Sequence, residues 1–386
     1  MNVREFQQCL RHWRVYAACL VVVGASLAGN SVRIGTGTGP PPLAFATANA
    51  LQVRLPSGTI DTIASVPNTE SVVGIVWSQD QQQVAWMEAS QTSVTLYDYD
   101  FRSKQLGSWP CTCSGVDFQG NHLLSDLVTQ TQPPRSSSRG LLQYALGSKQ
   151  PKQVAIADLP VPESGTVSQV YLLTTDPVSS NVFIAYVETL SGEPMESLYR
   201  VDAAGNASLV YTSQNDFAIQ DMTVSADGNW VAYAHADVKK AFGMGDGLSD
   251  LCDVNAEVTL LNLQTGASST SDPVPINTTY SSNNTVLSMW FGEYDSLNIT
   301  EDVDLRCDSS DDLVADNPAR YVLVDGKWQA KENVMFGSSA PHDWQAELLV
   351  PETYTGSTSG DLYVVHNNIF HKVASNVLVF SWATTS

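Results

Sequence analysis

The residues best suited to chemistry lie in two acidic runs. Between Ala236 and Glu257 the chain carries Asp237, Asp246, Asp250 and Asp253 among Gly243, Gly245 and Gly247. Between Thr300 and Ala319 it carries Glu301, Asp302, Asp304, Asp308, Asp311, Asp312 and Asp316. Carboxylates at that density suit a hard cation such as Ca²⁺, which binds through carboxylate and carbonyl oxygens. Asp246, Asp250, Asp253, Asp304 and Asp308 are the candidate ligands. No EF-hand spacing is present, because Asp246-Gly-Leu-Ser-Asp250 lacks the alternating ligands and the closing Glu. A solvated acidic rim is therefore the favoured reading, with no cofactor expected and calcium as its alternative.

Each acidic run holds one cysteine, Cys252 and Cys307. In an exported chain a bond between them would restrict the unfolded ensemble and contribute about 2–4 kcal/mol. Cys111 and Cys113 are separated by one residue, which leaves a local bridge or two buried thiols as alternatives. Catalytic patterns are sparse. No Gly-x-Ser-x-Gly nucleophile elbow occurs. His122, His235, His342, His366 and His371 are scattered, without the alternate spacing that places two side chains on one strand face. On inner strands only Asp221, Glu293 and Glu347 offer carboxylates to a central site. Trp77, Trp86, Trp230, Trp290 and Trp382 read as core, since large aromatics dominate such interiors.

What must position these residues is a repeat. Val72–Ser78, a polar turn and Gln83–Met87 match Ile219–Ser225, the turn Ala226-Asp-Gly-Asn229 and Trp230–His235. Each is a short strand, a tight turn and a second alternating strand. Third and fourth strands follow, as in Ser197–Asp202, Gly205-Asn206 and Ala207–Tyr211, or Tyr321–Val324, Asp325-Gly326 and Lys327–Ala330. Asp-Gly between two β runs is a strong hairpin signal. Four strands per unit, repeated, predict an all-β fold, a β-propeller. Inner pairs are expected near Val72, Gly115, Val167, Ile219, Val286 and His342. A seventh blade is split, with Val377–Trp382 innermost and its continuation in Pro42–Thr47, Ala50–Leu55 and Ile60–Ser65. Seven four-stranded blades closed by pairing of N- and C-terminal strands would leave no inner edge exposed. Counting the split blade as the first, the acidic runs join strands b and c of blades 5 and 6, side by side on one rim.

Ser225–Ala234 (SADGNWVAYA) resembles the signature hairpin of TolB-like, WD40-like (PD40) propeller repeats, with Ala226 in place of its proline. Trp77–Trp86 and Thr175–Tyr186 are looser copies. The resemblance implies an extracytoplasmic binding scaffold, and fold alone does not fix function.

The N-terminus carries Arg4, Arg11 and Arg14, then an uncharged apolar stretch, Val15–Ala28, with Ser26 and Ala28 before a cut at Gly29. That pattern predicts a secretory signal over 1–28, its apolar stretch shorter than a spanning helix needs, with an uncleaved signal-anchor as the alternative. A Gly/Pro-rich linker over 29–42 and the propeller over 43–386 follow. With 19 Lys+Arg against 40 Asp+Glu, the net charge of −21 disfavours nucleic acid and anionic membranes. The expected protein is a secreted, periplasmic or cell-surface monomer. It is a non-enzymatic scaffold binding a protein or glycan through its loop-rich face. The alternative is a lactonase- or glycosidase-like hydrolase with a metal in the central funnel. Asn206, Asn277, Asn283 and Asn298 each begin an Asn-x-Ser/Thr sequon.

Overall fold

Alternating apolar residues bounded by tight polar turns build four-stranded antiparallel sheets, and the sheets close a ring. The computed structural model describes residues 40–90, 92–127, 139–161, 167–176, 178–190, 193–212, 219–236, 256–271, 285–292, 296–302, 305–307, 313–315, 318–331, 335–339, 344–349, 359–367 and 369–383. Strands are lettered a to d from the axis outward. Blade 2 comprises Ser71–Trp77, Gln83–Ala89, Val94–Asp100 and Gln105–Cys111. Blade 3 comprises Val116–Gln119, His122–Ser125, Gly140–Tyr144 and Lys152–Ala155. Blade 4 comprises Val167–Thr175, Val182–Leu190, Glu193–Val201 and Ala207–Thr212, and blade 5 Ile219–Val224, Trp230–Ala236, Ala256–Asn262 and Ser268–Thr270. Blade 6 comprises Thr285–Phe291, Leu297–Asp302, Pro318–Val324 and Lys327–Lys331, with a small extra hairpin, Leu305–Cys307 and Leu313–Ala315, between its strands b and c.

Blades 7 and 1 share one strand. Met335–Ser339, Gln345–Leu349 and Gly360–His366 are strands a to c of blade 7, and the first part of Ile369–Trp382 is its strand d. From Val377 the same strand becomes strand a of blade 1, pairing Leu43↔Trp382, Phe45↔Phe380 and Thr47↔Val377. Asn376, at φ 56°, takes the left-handed turn that redirects the chain from rim to axis. Leu43–Thr47, Ala50–Arg54 and Ile60–Ser65 complete blade 1. The inner strands touch in succession around the axis, blade 1 back to blade 1. The split blade expected from VLVFSW is thus the observed closure. Blade 7 departs from expectation in its start: strand a precedes His342, which lies outside the described residues.

The signature hairpin has a clear physical basis. Ser225 Oγ donates to Asp227 Oδ1 at 2.6 Å and accepts from the Trp230 N–H at 2.9 Å, while Asp227 Oδ1 caps the Asn229 N–H. Blade 2 repeats every bond with Ser78, Asp80, Gln82 and Gln83. Gln81 adopts the positive φ of 57° that Gly228 takes at 68°, so the looser sequence copy keeps the same turn.

Blades pack through apolar seams. Trp77, Trp86, Leu51 and Val379 join blades 1 and 2, and the Trp77 indole N–H donates to the Ser381 carbonyl at 3.2 Å. Trp77, Trp86, Trp290 and Trp382 are fully buried, as their core reading requires, while Trp230 is partly exposed and packs against the cluster between blades 5 and 6. Close approach to backbone is sharpest at Gly115, where a Cβ would lie 2.2 Å from the Leu172 carbonyl oxygen of blade 4. Backbone cannot yield there. Gly115→Ala is expected to destabilise by about 1–3 kcal/mol or more, as overpacking does; denaturant unfolding would show an unchanged midpoint if the blades were free to separate.

Candidate functional site

The ring has two unlike faces. The a–b and c–d turns form one of them, and short-range polar contacts tie its turns together across blades 2, 3 and 4. The Gln79 N–H donates to the Gly120 carbonyl at 2.9 Å, and the Asp80 N–H to Asn121 Oδ1 at 3.2 Å, tying blade 2 to blade 3. Ser180 Oγ of blade 4 donates to Gln79 Oε1 at 2.9 Å, and Gln119 Nε2 donates to the Ser180 carbonyl at 3.1 Å. The opposite face carries the b–c and d–a connections. Its longest b–c connections run over 237–255 in blade 5 and 303–317 in blade 6, adjacent blades, as the sequence implied.

Of the residues singled out in those connections, Asp246, Asp250, Cys252, Asp253, Asp304 and Asp308 lie outside the described residues. Cys307 ends the first strand of the small blade 6 hairpin, and its side chain is likewise not described. Among the described residues no group of three or more His, Cys, Asp or Glu could hold a metal ion. The described disulfide joins Cys111 and Cys113, Cα atoms 5.4 Å apart. It closes the step from strand d of blade 2 into blade 3, packed with Trp109 and Phe118, so the local bridge is the correct alternative and its role is structural.

The acids that the structure does place with geometry are inside the seams. Asp117 and Asp221 play the same part in strand a of blades 3 and 5. In each, Oδ1 accepts the N–H of the next residue at 2.8 Å, and Oδ2 crosses to an inner-strand N–H of the following blade. Those donors are Thr175 at 2.9 Å and Met289 at 2.7 Å. Asp126 accepts from the Ser114 N–H at 2.7 Å, Ser114 Oγ at 2.6 Å and the Gly115 and Leu172 N–H groups. Burial dominates their titration. It pushes Asp117 up to about 7, Asp126 to about 6 and Asp221 well above the ordinary carboxylate range, against the hydrogen bonds that favour the anions. Burial also raises Glu88 to about 6, where it accepts from the Trp86 indole at 2.7 Å and lies beside Glu70.

Asp221 and Glu347, two of the carboxylates the sequence offered to a central site, are therefore structural. Asp221 braces blade 6, and Glu347 is held by Arg320 at 3.1 Å. Glu293 lies outside the described residues. The readable signal for the bracing acids was an Asp followed by an apolar residue inside an inner strand, VDFQ and IQDMTV. Of the sequons, Asn298 is buried, with Nδ2 donating to the Ser296 carbonyl and Oδ1 accepting from Arg320, so no surface acceptor exists there. Asn206 is exposed on the c–d turn of blade 4. Asn277 and Asn283 are outside the described residues.

Ring, closure and hairpin together define a seven-bladed β-propeller. No protein-family model matches the chain, and no curated protein sequence matches it. Solved structures do. The chain is similar to TolB from Acinetobacter baumannii at 15% identity, covering 77% of this chain and 65% of that one, with a TM-score of 0.41. It is similar to an oligogalacturonate lyase from Vibrio parahaemolyticus at 11% identity, covering 72% and 74%, TM-score 0.45. A protein from Lactobacillus plantarum is similar at 12% identity, covering 89% and 98%, TM-score 0.48. The chain spans 65% of the TolB chain's length, and likeness at this level concerns the fold and nothing of activity. Among the described residues, no helix is long and apolar enough to cross a membrane.

Proposed function

We propose that the chain is an exported, non-enzymatic binding scaffold that takes a protein or glycan ligand on its b–c face. The observation that carries this reading is the difference between the two faces. One has short turns, bonded to one another across blades 2 to 4, while the other bears the long acidic connections 237–255 and 303–317 on neighbouring blades. Long connections on a rigid ring are where recognition concentrates. The inner-strand carboxylates at Asp117 and Asp221 are spent on inter-blade hydrogen bonds, which leaves them unsuited to catalysis in the funnel. A signal over 1–28, a linker over 29–42 and a propeller from 43 onward complete the reading, with a secreted, periplasmic or cell-surface monomer as the product. A Cys252–Cys307 bond would join the two connections and pre-organise the face.

Capture from the native extract tests this reading, using the chain from Gly29 onward, a variant with 238–254 replaced by a short Gly/Ser linker, and a control altered at Gln79 on the face of short turns. Retention of one partner or glycan by the first and the control, and its loss from the linker variant, supports the b–c face. Equal retention by all three overturns it. Repeating the capture with a chelator separates the two roles of the acids, since a bound ion would be needed for retention and a solvated rim would not.

A further inference from the structure

An apolar cluster fills the seams between blades 7 and 1, 1 and 2, 2 and 3, 3 and 4, 4 and 5, and 5 and 6. Between blades 6 and 7 the described side chains mix polar groups with Trp290, Val322 and Val365, which belong to none of these clusters. Strand register puts Ser288, Trp290, Asn298, Thr300 and Arg320 on the blade 6 side, with Gly337, Gln345 and Glu347 opposite. Arg320 Nη2 donates to Glu347 Oε1 at 3.1 Å and to Asn298 Oδ1 at 3.0 Å, and its guanidinium lies 5.2 Å from the Trp290 ring centre. That ring presses on Gly337, where a Cβ would fall 2.0 Å away. Ser288 Oγ and Trp290 Nε1 are fully buried and have no hydrogen-bond partner among the described residues.

The physics of such a seam differs from the other six. A buried ion pair loses hydration that its mutual attraction roughly offsets, and is often replaceable by apolar residues without loss. A buried donor without a partner forfeits its water. The apolar clusters of the other seams gain the full transfer of their side chains, including in the two seams that also bury Asp117, Asp126 and Asp221. Opening here also breaks no strand pairing, because blades 7 and 1 are continuous through Ile369–Trp382 and leave blade 6 as one sheet.

We propose that the ring has a built-in opening point between blades 6 and 7, held by the Arg320–Glu347 pair. The closing strand then stays paired while the ring parts beside the long blade 6 connection. This does not depend on what the b–c face binds.

Thiol labelling of the folded full chain tests it. Ser288→Cys reports this seam. Ser168→Cys reports a comparison seam, since Ser168 is equally buried on an inner strand and bonds Tyr186 in the apolar seam between blades 3 and 4. Labelling above that of the unsubstituted chain is expected to be about tenfold or more faster at position 288 than at 168. Adding Arg320→Met with Glu347→Leu, which replaces the pair by apolar volume, is expected to slow labelling at 288 and leave 168 unchanged. Equal or slower labelling at 288, or a rate there indifferent to the apolar pair, overturns the proposal. Should Ser288→Cys fail to fold, the double substitution alone decides the question in thermal melts. A raised melting temperature supports a weak polar seam, and a loss comparable to that of either single substitution refutes it.

Discussion

Deleting Val377–Ser386 will abolish the cooperative unfolding transition of the whole chain rather than fray one end. The segment supplies the innermost strand of blade 1, paired along Leu43–Thr47. Val377, Val379, Phe380 and Trp382 are buried in it, each contributing roughly 1.5–3 kcal/mol by burial. The Ser381 carbonyl also accepts the Trp77 indole, and the Ala383 N–H donates to the Pro42 carbonyl at 2.7 Å. Their sum is comparable with the roughly 5–15 kcal/mol by which a typical protein is stable. Circular dichroism melts and limited proteolysis of the truncated chain check this. An unchanged melting temperature would mean that the ring closes without the terminal strand.

The closure was legible because VLVFSW copies the short apolar run of GIVWS at the far end of the chain, and a blade lacking its inner strand needs a donor. The hairpins were legible because Ser225, Asp227 and Gly228 leave one turn geometry available. The start of blade 7 was not, since its inner strand, MFGSS, is short and polar and holds a glycine that only the Trp290 ring explains. Arg320 and Glu347 pair across a blade boundary, and nothing in local spacing foretells that. The acids of the sequence were read by density, which marks loops. Those with defined partners are single residues in apolar strands, whose role depends on the register of the next blade. Cys111 and Cys113 left a bridge and two buried thiols both open, because spacing alone does not show the turn out of blade 2 that brings them together.

The melting temperature is expected to fall as pH rises from about 5 to 8, opposite to the behaviour of most acid-sensitive proteins. Burial raises Asp117 and Asp98 to about 7 and Asp126 and Glu88 to about 6, and lifts Asp221 well above the ordinary carboxylate range as well. The same side chains titrate near 4 in an unfolded chain. Between those values the folded protein holds protons that the unfolded chain has released. Stability from these groups is therefore complete below about pH 4 and is lost as pH climbs through 6 to 7. For one fully buried group such as Asp117 each unit of difference is worth about 1.4 kcal/mol. His235 opposes the trend, because burial lowers its pKa and favours neutrality, but it is a single half-buried group. Asp227, held down by hydrogen bonds from Ser225 and Asn229, sets a limit on the acid side, since its contribution is lost as pH falls below the carboxylate range. Net charge works in the same direction as the buried acids, because −21 at neutrality repels itself and is relieved by protonation. Melts at constant ionic strength from pH 4 to 8 give the slope, and Asp117→Asn separates the causes. The amide cannot ionise, so the variant should lose less stability between pH 5 and 8 than the parent while retaining the charge-driven part. A melting temperature that rises steadily from pH 5 to 8 would show that the seam carboxylates are ionised in the folded ring and held by their N–H donors instead.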